Sequence, residues 1–351
     1  MNRETKILQL LSFRCIVGFF VFFGAQSGLP ALYRPYETHL ADAVSAATGG
    51  CGGSSVESIQ SISQNPSFLA GIKDASVSFG FEGVFGMNSF LNYPRVRFDY
   101  FPQIAFDMPA QSYGSTGFMT FTSFQNQDSN FAYTLYNFEG IYSARLFDVV
   151  DFGFSAGAGM AFAKDVVTGG GFTYSFSALY RNDFFSTGLL IRPGANLEHS
   201  VYNGFHVFER TPTRVQGGLT SYFKNWSLIL ELDYVDWRNS TFVENSMNVA
   251  PEFESGFIDF LHPHVGGDIA LRGLLEMNLR FGAYTSDSFD FRGANSRQIY
   301  FTGGIRVLAG SSQWKNKLKI DLSYESGFLP ALFWSENRQV ESVKLTLEYV
   351  I

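Results

Sequence analysis

Apolar side chains recur at every second residue through most of this chain, and no other feature limits its possible folds as much. In Val150–Phe162 every even position is apolar, while Asp151, Gly153, Ser155, Gly157, Gly159 and Ala161 take the odd ones. Phe172, Tyr174, Phe176, Ala178 and Tyr180 alternate with Thr173, Ser175 and Ser177. Leu228, Leu230, Leu232 and Tyr234 share one side of a segment whose other side carries Glu231 and Asp233. The same beat sets Leu275, Met277, Leu279, Phe281 and Ala283 against Glu276, Asn278, Arg280 and Gly282. Successive side chains of a strand point to opposite faces, so each such segment has one apolar and one polar face.

The pattern predicts about fourteen strands, an even number of the kind single-chain bacterial barrels have. They fall near Ala75–Phe85, Val96–Phe106, Gly117–Phe124, Phe131–Arg145, Val149–Ala163, Gly171–Arg181 and Phe184–Asn196. The remainder are Thr213–Phe223, Trp226–Trp237, His264–Arg272, Leu274–Asp287, Gln298–Ala309, Lys317–Glu325 and Ser342–Ile351. Pro102 and Pro109 interrupt the pattern in its early part. A soluble sandwich brings such apolar faces together, whereas a transmembrane barrel turns them out to lipid and keeps small, polar and charged groups around a lumen.

Four features select the barrel. The strands are long, and aromatics at their ends, as at Trp226 and Trp237, fit two interfacial girdles. The chain also closes on an amphipathic strand, with Val343, Leu345, Leu347, Tyr349 and Ile351 opposite Lys344, Thr346 and Glu348. Finally, Arg3, Lys6 and Arg14 precede the apolar run Cys15–Phe23, and Ala25-Gln-Ser27 follows as a small-x-small cleavage pattern. That is the layout of a secretory signal peptide over residues 1–27, with a short buried helix as the other reading. The run is too short for the about 20 residues of a spanning helix, and no later stretch is long and apolar enough to supply one.

Composition agrees. The 351 residues include 39 Phe, 17 Tyr, 4 Trp and 35 Gly, and only 16% are charged. Soluble globular chains carry about 25% charge, so this one needs either a large core or lipid around it. The net charge of −7 offers no surface for nucleic acid. Two cysteines, Cys15 and Cys51, build no disulfide framework.

Between leader and first strand, residues 28–72 have another character. Gly49-Gly-Cys-Gly-Gly-Ser-Ser55 is flexible, Val56, Ile59 and Ile62 fall at helical spacing, and Gln64-Asn-Pro-Ser-Phe-Leu-Ala70 leads into the barrel of residues 73–351. Too polar for lipid and too short to fold alone, this segment has one place that would order it, the lumen.

Here the chain resembles the FadL-like family of outer-membrane channels for long-chain fatty acids and other hydrophobic compounds. The resemblance rests on Gly49-Gly50, Asn65-Pro66-Ser67 with Phe68-Leu69-Ala70, Thr211-Pro-Thr-Arg-Val-Gln-Gly-Gly-Leu219 followed by Trp226 and Asp233-Tyr-Val-Asp-Trp237, and Leu279-Arg-Phe-Gly-Ala-Tyr284. It implies a fourteen-stranded barrel in the outer membrane whose N-terminal hatch plugs the lumen. Substrates would enter from outside, shift the hatch, and leave sideways into the membrane through a gap beside a kinked strand. Such an exit spares an apolar ligand the about 0.8 kcal/mol per CH₂ of crossing water. By resemblance Asn65, Pro66, Ser67, Phe68 and Leu69 form the hatch motif, with Ser67 where the family prefers Ala; an ordinary turn before a strand is the plainer reading. The strand around Gly114 and Gly117, close to Pro109, is the expected lateral opening, since Gly and Pro weaken a ladder.

Two stretches depart from the family. Its long loop after the fifth strand shrinks here to about Lys164–Gly170, while Arg238–Pro263 is long and apolar. Phe242, Met247, Phe253, Phe257, Phe260 and Leu261 in that stretch are expected either to make first contact with a hydrophobic ligand or to fold back onto the barrel rim.

No catalytic residue, metal or cofactor is assigned. Gly157-Ala-Gly159-Met-Ala-Phe162 imitates a dinucleotide fingerprint but has Phe at its sixth position and no following helix. His262-Pro-His264 lacks a third ligand. Glu231, Asp233, Glu276 and Asp321 have Arg272, Arg280, Arg306, Lys319 and Lys344 as lumen counter-ions rather than a role in acid catalysis. A hydrolase would need Ser and His side by side on strands, and only His264 lies even at a predicted strand edge. Passive uptake of an apolar ligand from surroundings of outer-membrane lipid is therefore the expected function; a non-transporting barrel serving secretion, adhesion or structure is the alternative.

Overall fold

The computed structural model describes residues 37–38, 43–54, 59–86, 97–98, 103–110, 114–126, 133–146, 149–163, 166–200, 206–244, 247–249, 261–272, 276–289, 295–309, 318–331 and 340–351. The proposed leader and its cleavage site lie outside them.

Fourteen antiparallel strands close on themselves. They are β1 (Ser76–Gly86), β2 (Arg97–Phe98 and Gln103–Ala110), β3 (Gly114–Asn126), β4 (Tyr133–Leu146), β5 (Val150–Ala163), β6 (Val166–Arg181) and β7 (Phe185–Arg192 and Asn196–Ser200). The circuit continues through β8 (His206–Arg210 and Thr213–Tyr222), β9 (Trp226–Asp236), β10 (Leu261–Arg272), β11 (Glu276–Phe289), β12 (Asn295–Ala309), β13 (Leu318–Ser326) and β14 (Val340–Val350). Each pairs with the next, and β14 runs along β1 from Val350 opposite Ser76 to Val340 opposite Gly86, which removes both sheet edges. Connections after β2, β4, β6, β8 and β10 are three residues long, whereas that between β9 and β10 spans residues 237–260. Three-residue turns on one rim, with the longest connection on the other, orient a barrel with its turns inward and its longer loops outside the cell.

The alternation places the apolar face outward. Phe152 and Phe154 of β5 are 46% and 40% exposed, while Asp151 and Ser155 on either side of them are sealed inside. Phe81, Phe172, Phe176 and Phe281 are likewise exposed, as are the outer faces of Leu279 and Leu322. A water-soluble domain has the opposite arrangement; this exterior needs hydrocarbon. No helix among the described residues is long and apolar enough to cross a membrane, and the strands make the crossing.

At the turn rim Phe223 stacks on Trp226 with ring centroids 3.9 Å apart, beside the exposed Phe184. Those rings fit an interfacial girdle. Trp237 does not: it is 1% exposed, in a 3₁₀ turn at the end of β9. The sequence pattern had placed it in a second girdle, because a strand-end Trp reads alike whether it faces lipid or a covered mouth.

Several ladders carry irregularities, among them β5 with β6, which slips between Ala161 and Ala163. Pairing of β3 with β4 slips between Thr122 and Phe124. Between β6 and β7 it stops after Phe176 opposite Ile191 and resumes one residue out of step at Gly170 opposite Glu198. Pro193, with no amide proton to donate, lies in that interval.

Candidate functional site: the plugged lumen

The N-terminal segment occupies the barrel interior. A five-residue helix, α1 (Ala43–Ala47), is made wholly of small or modest side chains and is buried throughout. It ends at Gly49 and Gly50, whose φ angles of 71° and 77° favour glycine. The Thr302 hydroxyl of β12 donates to the Ala47 carbonyl and accepts from the Gly49 amide, both at 3.0 Å. Beyond Cys51 the backbone amides of Gly52, Gly53 and Ser54 all point at the Glu231 carboxylate of β9, at 3.3, 2.8 and 3.0 Å. The Ser54 hydroxyl and the Gln216 amide donate to it too.

Glu231 therefore has no cationic partner among the described residues. Three consecutive backbone N–H groups form an anion-binding nest around it, and the carboxylate is buried. Opposite it across the ladders stand Gly218 and His264, neither of them a cation placed to pair with it. Read as a lumen carboxylate in search of a counter-ion, Glu231 gave no hint of this task. The register gap opposite it was the available signal.

The segment expected to form the hatch motif fills the other half. Asn65 donates from Nδ2 to the Gly53 carbonyl at 2.6 Å and accepts at Oδ1 from the Ser67 amide, so one side chain ties the two plug limbs together. Pro66 opens a 3₁₀ turn (Pro66–Gly71) for which Asn65 is the N-cap. The Ser67 amide donates to Ser177 Oγ of β6 at 2.8 Å, and Ser143 Oγ of β4 donates to the Ser67 carbonyl at 3.1 Å. Phe68 and Leu69 pack with Ile59 and Ile62 against Ala105, Met119, Phe121 and Ile141 of β2, β3 and β4. Two glycines of the wall permit this approach: a methyl on Gly153 would overlap the Ser67 amide nitrogen, and one on Gly188 would overlap the Gly53 carbonyl.

Ion pairs fill much of the remaining wall. Asp321 takes Arg280 at 2.6 Å and Arg306 at 2.8 Å, and Arg280 also reaches Asp268 at 2.8 Å. Lys319 pairs with Glu348, Lys344 with Glu82 and Arg192 with Glu139. Cys51 is buried in the plug, and burial, reinforced by the Glu231 charge, pushes its thiol well above the ordinary range.

The remaining expected site residues are dispersed. Gly117 touches the plug, with Leu69 as its neighbour, but both Gly114 and Gly117 sit in paired ladder, opposite Ala110 and Asp107. Phe242 and Met247 lie in a small hairpin (Phe242–Glu244 with Met247–Val249). Leu261 begins β10 opposite Tyr234, and its carbonyl accepts from Arg297. Phe253, Phe257 and Phe260 lie outside the described residues, as does Val56. The connection between β5 and β6 is shorter than expected, residues 164–165. Three of the histidines, His199, His262 and His264, are buried within strands rather than marginal to them. No group of three or more metal-ligating side chains exists among the described residues.

No family model matches the sequence, and no curated protein matches it significantly. Solved structures do. A FadL homologue from Pseudomonas aeruginosa superposes with a TM-score of 0.65 at 11% identity, covering 92% of this chain and 100% of that one. The toluene transporter TbuX of Ralstonia pickettii gives 0.61 at 12%, covering 88% and 98%. The toluene transporter TodX of Pseudomonas putida gives 0.58 at 12%, covering 88% and 97%. With its plugged lumen and its circuit of fourteen strands, the chain has the fold of the FadL-like outer-membrane channels.

Proposed function

We propose that this chain is a passive outer-membrane channel for apolar molecules, exported by its leader and gated by the segment before β1. The observation that carries the reading is the plug itself. Among the described residues it is bound to the wall by hydrogen bonds rather than covalently or by ion pairs, to the hydroxyls of Thr302, Ser143 and Ser177 and to the Glu231 carboxylate, so it is held in place yet free to be displaced. The names of the superposable structures, a FadL homologue and two toluene transporters, point to the same class of cargo. Asn65 is the pivot of the hatch, because it joins the Gly53 limb to the Ser67 limb.

Release into the membrane beside β3 fits the same reading. Leu69 covers Gly117 there, and its withdrawal would uncover an apolar stretch of inner wall formed by Ala105, Met119 and Phe121. The hairpin of Phe242–Glu244 with Met247–Val249 and the start of β10 at Leu261 belong to the long connection after β9, which this reading makes the place where a ligand arrives.

Uptake of a fluorescent long-chain fatty acid and of toluene into liposomes tests this. Wild type should exceed empty liposomes for at least one of them, and Asn65→Ala should change that rate. Rates equal to empty liposomes for both would leave a non-transporting barrel.

A further inference from the structure

The wall between β6 and β7 is closed but unzipped. No backbone pair joins Gly171–Ser175 to Arg192–Leu197, although β6 stays in continuous ladder with β5 through the same stretch. On the other side β8 holds β7 fast. Thr211 Oγ1 accepts from the Ala195 amide at 2.8 Å, and Thr213 Oγ1 from the Gly194 amide at 3.1 Å, so two hydroxyls replace ladder bonds beside Pro193. The seam is shut by contact, with the Asn196 carbonyl and Leu197 lying against Gly171, where a methyl would overlap that oxygen. Parting two barrel strands in hydrocarbon ordinarily leaves their backbone groups unsatisfied, at several kcal/mol each. Over this stretch there is no pairing to lose.

Glu139 of β4 clasps the two lips from inside. It accepts from Thr173 Oγ1 of β6 at 3.0 Å and from Arg192 Nη2 of β7 at 3.2 Å. On the lipid side Phe172 and Phe176 are 62% and 51% exposed, and the Tyr174 ring lies between them, 5.8 Å from each. Pro193 is eight residues beyond the start of β7. At about 3.3 Å per residue and a tilt of about 40°, it stands about 20 Å from the turn rim, in the outer half of an apolar band about 25 Å tall. The plug meets these two strands lower down, at Ser177 and Gly188. The seam therefore separates the outer leaflet from the lumen on the outer side of the plug. The release route beside β3 starts instead at Gly117, under Leu69 of the plug.

We propose that the seam between β6 and β7 is a lateral entrance for apolar molecules already dissolved in the outer leaflet, latched by Glu139. The proposal rests on the channel reading and adds to it a second way in, apart from the external mouth. A ligand guided along the rings of Phe172, Tyr174 and Phe176 passes between the lips without crossing water and reaches the gate from upstream.

Photolabelling in phosphatidylcholine vesicles that contain a phospholipid with a diazirine near the end of one acyl chain tests it, because this probe stays in the bilayer. Peptide mass spectrometry of the full chain should find label on Leu197, inside the seam, and none on Ala283 of the far inner wall. Glu139→Gln should raise the Leu197 label about fivefold, as expected for the loss of one charge-assisted hydrogen bond across the lips. Thr173→Val cuts the clasp on the β6 side alone and keeps the Arg192 pair; it should act in the same direction, and it decides if Glu139→Gln fails to fold. Label confined to the outward Phe172 and Phe176 in wild type and variants, or Leu197 label indifferent to both substitutions, would overturn the entrance. Uptake of a fluorescent fatty acid by the same vesicles separates the two readings. Uptake without label on Leu197 removes the side entrance and leaves the channel; label on Leu197 without uptake leaves the entrance and removes the channel.

Discussion

Glu231 shows how much one residue controls here. Its carboxylate is the common acceptor for three plug amides, a plug hydroxyl and Gln216, all of them neutral. Replacing it with Ala leaves those donors unmatched in a closed space. The closed state should lose about 3 kcal/mol, which is roughly a hundredfold in the population of displaced plugs. Single-channel recordings in planar bilayers would register this as frequent openings that wild type lacks; unchanged recordings would mean that the nest does not hold the plug. Asp321 has a different role. It is shared by Arg280 and Arg306 with almost no exposure, and removing one member of such a buried cluster strands charge. Asp321→Ala should destabilise the barrel by about 3–5 kcal/mol, read from urea unfolding in lipid vesicles, without raising channel opening.

At the scale of elements, the plug turn and β5 meet backbone to side chain at Gly153. Gly153→Val should push the Asn65-Pro66-Ser67 turn off the wall while leaving the strand ladder intact, since β-branched residues suit a strand. Cys51 reports the result. In a Cys15→Ser background its buried, upward-shifted thiol should label slowly with a maleimide at pH 8, where an exposed thiol reacts readily. Gly153→Val should label at least about tenfold faster if the plug moves as a unit. Equal rates would mean the turn yields locally. The strands were legible in the sequence because period-two alternation is a local property, and β5, β9 and β14 need no knowledge of their neighbours to be recognised. The plug contacts were not. Glycines at 153 and 188 read only as small lumen residues, and their purpose exists once the chain has closed and a distant segment lies against them. The pairing of Arg214 with Asp233 was hidden for the same reason: the two sit on adjacent strands, and only the ladder register makes them neighbours.

For the whole molecule, the decisive feature is the inversion of polarity between wall faces. Phe281 stands in the middle of β11, opposite Gly267 and Gly303, with half its surface exposed. Phe281→Arg should cost about 2–4 kcal/mol in a bilayer, as expected for a cation at mid-depth, and should lower the urea midpoint accordingly. A loss much smaller than that would place Phe281 near the headgroups. The closing pair, β14 on β1, has a further consequence for how the protein is made. The plug lies upstream of β1 and is surrounded on all sides by the ring those two strands complete. A finished ring admits α1 to its place against Thr302 and Thr346 only through an open end. Closing the sheet around a cork already in position avoids that threading, so truncating the cork should impair assembly of the vessel as well as its seal.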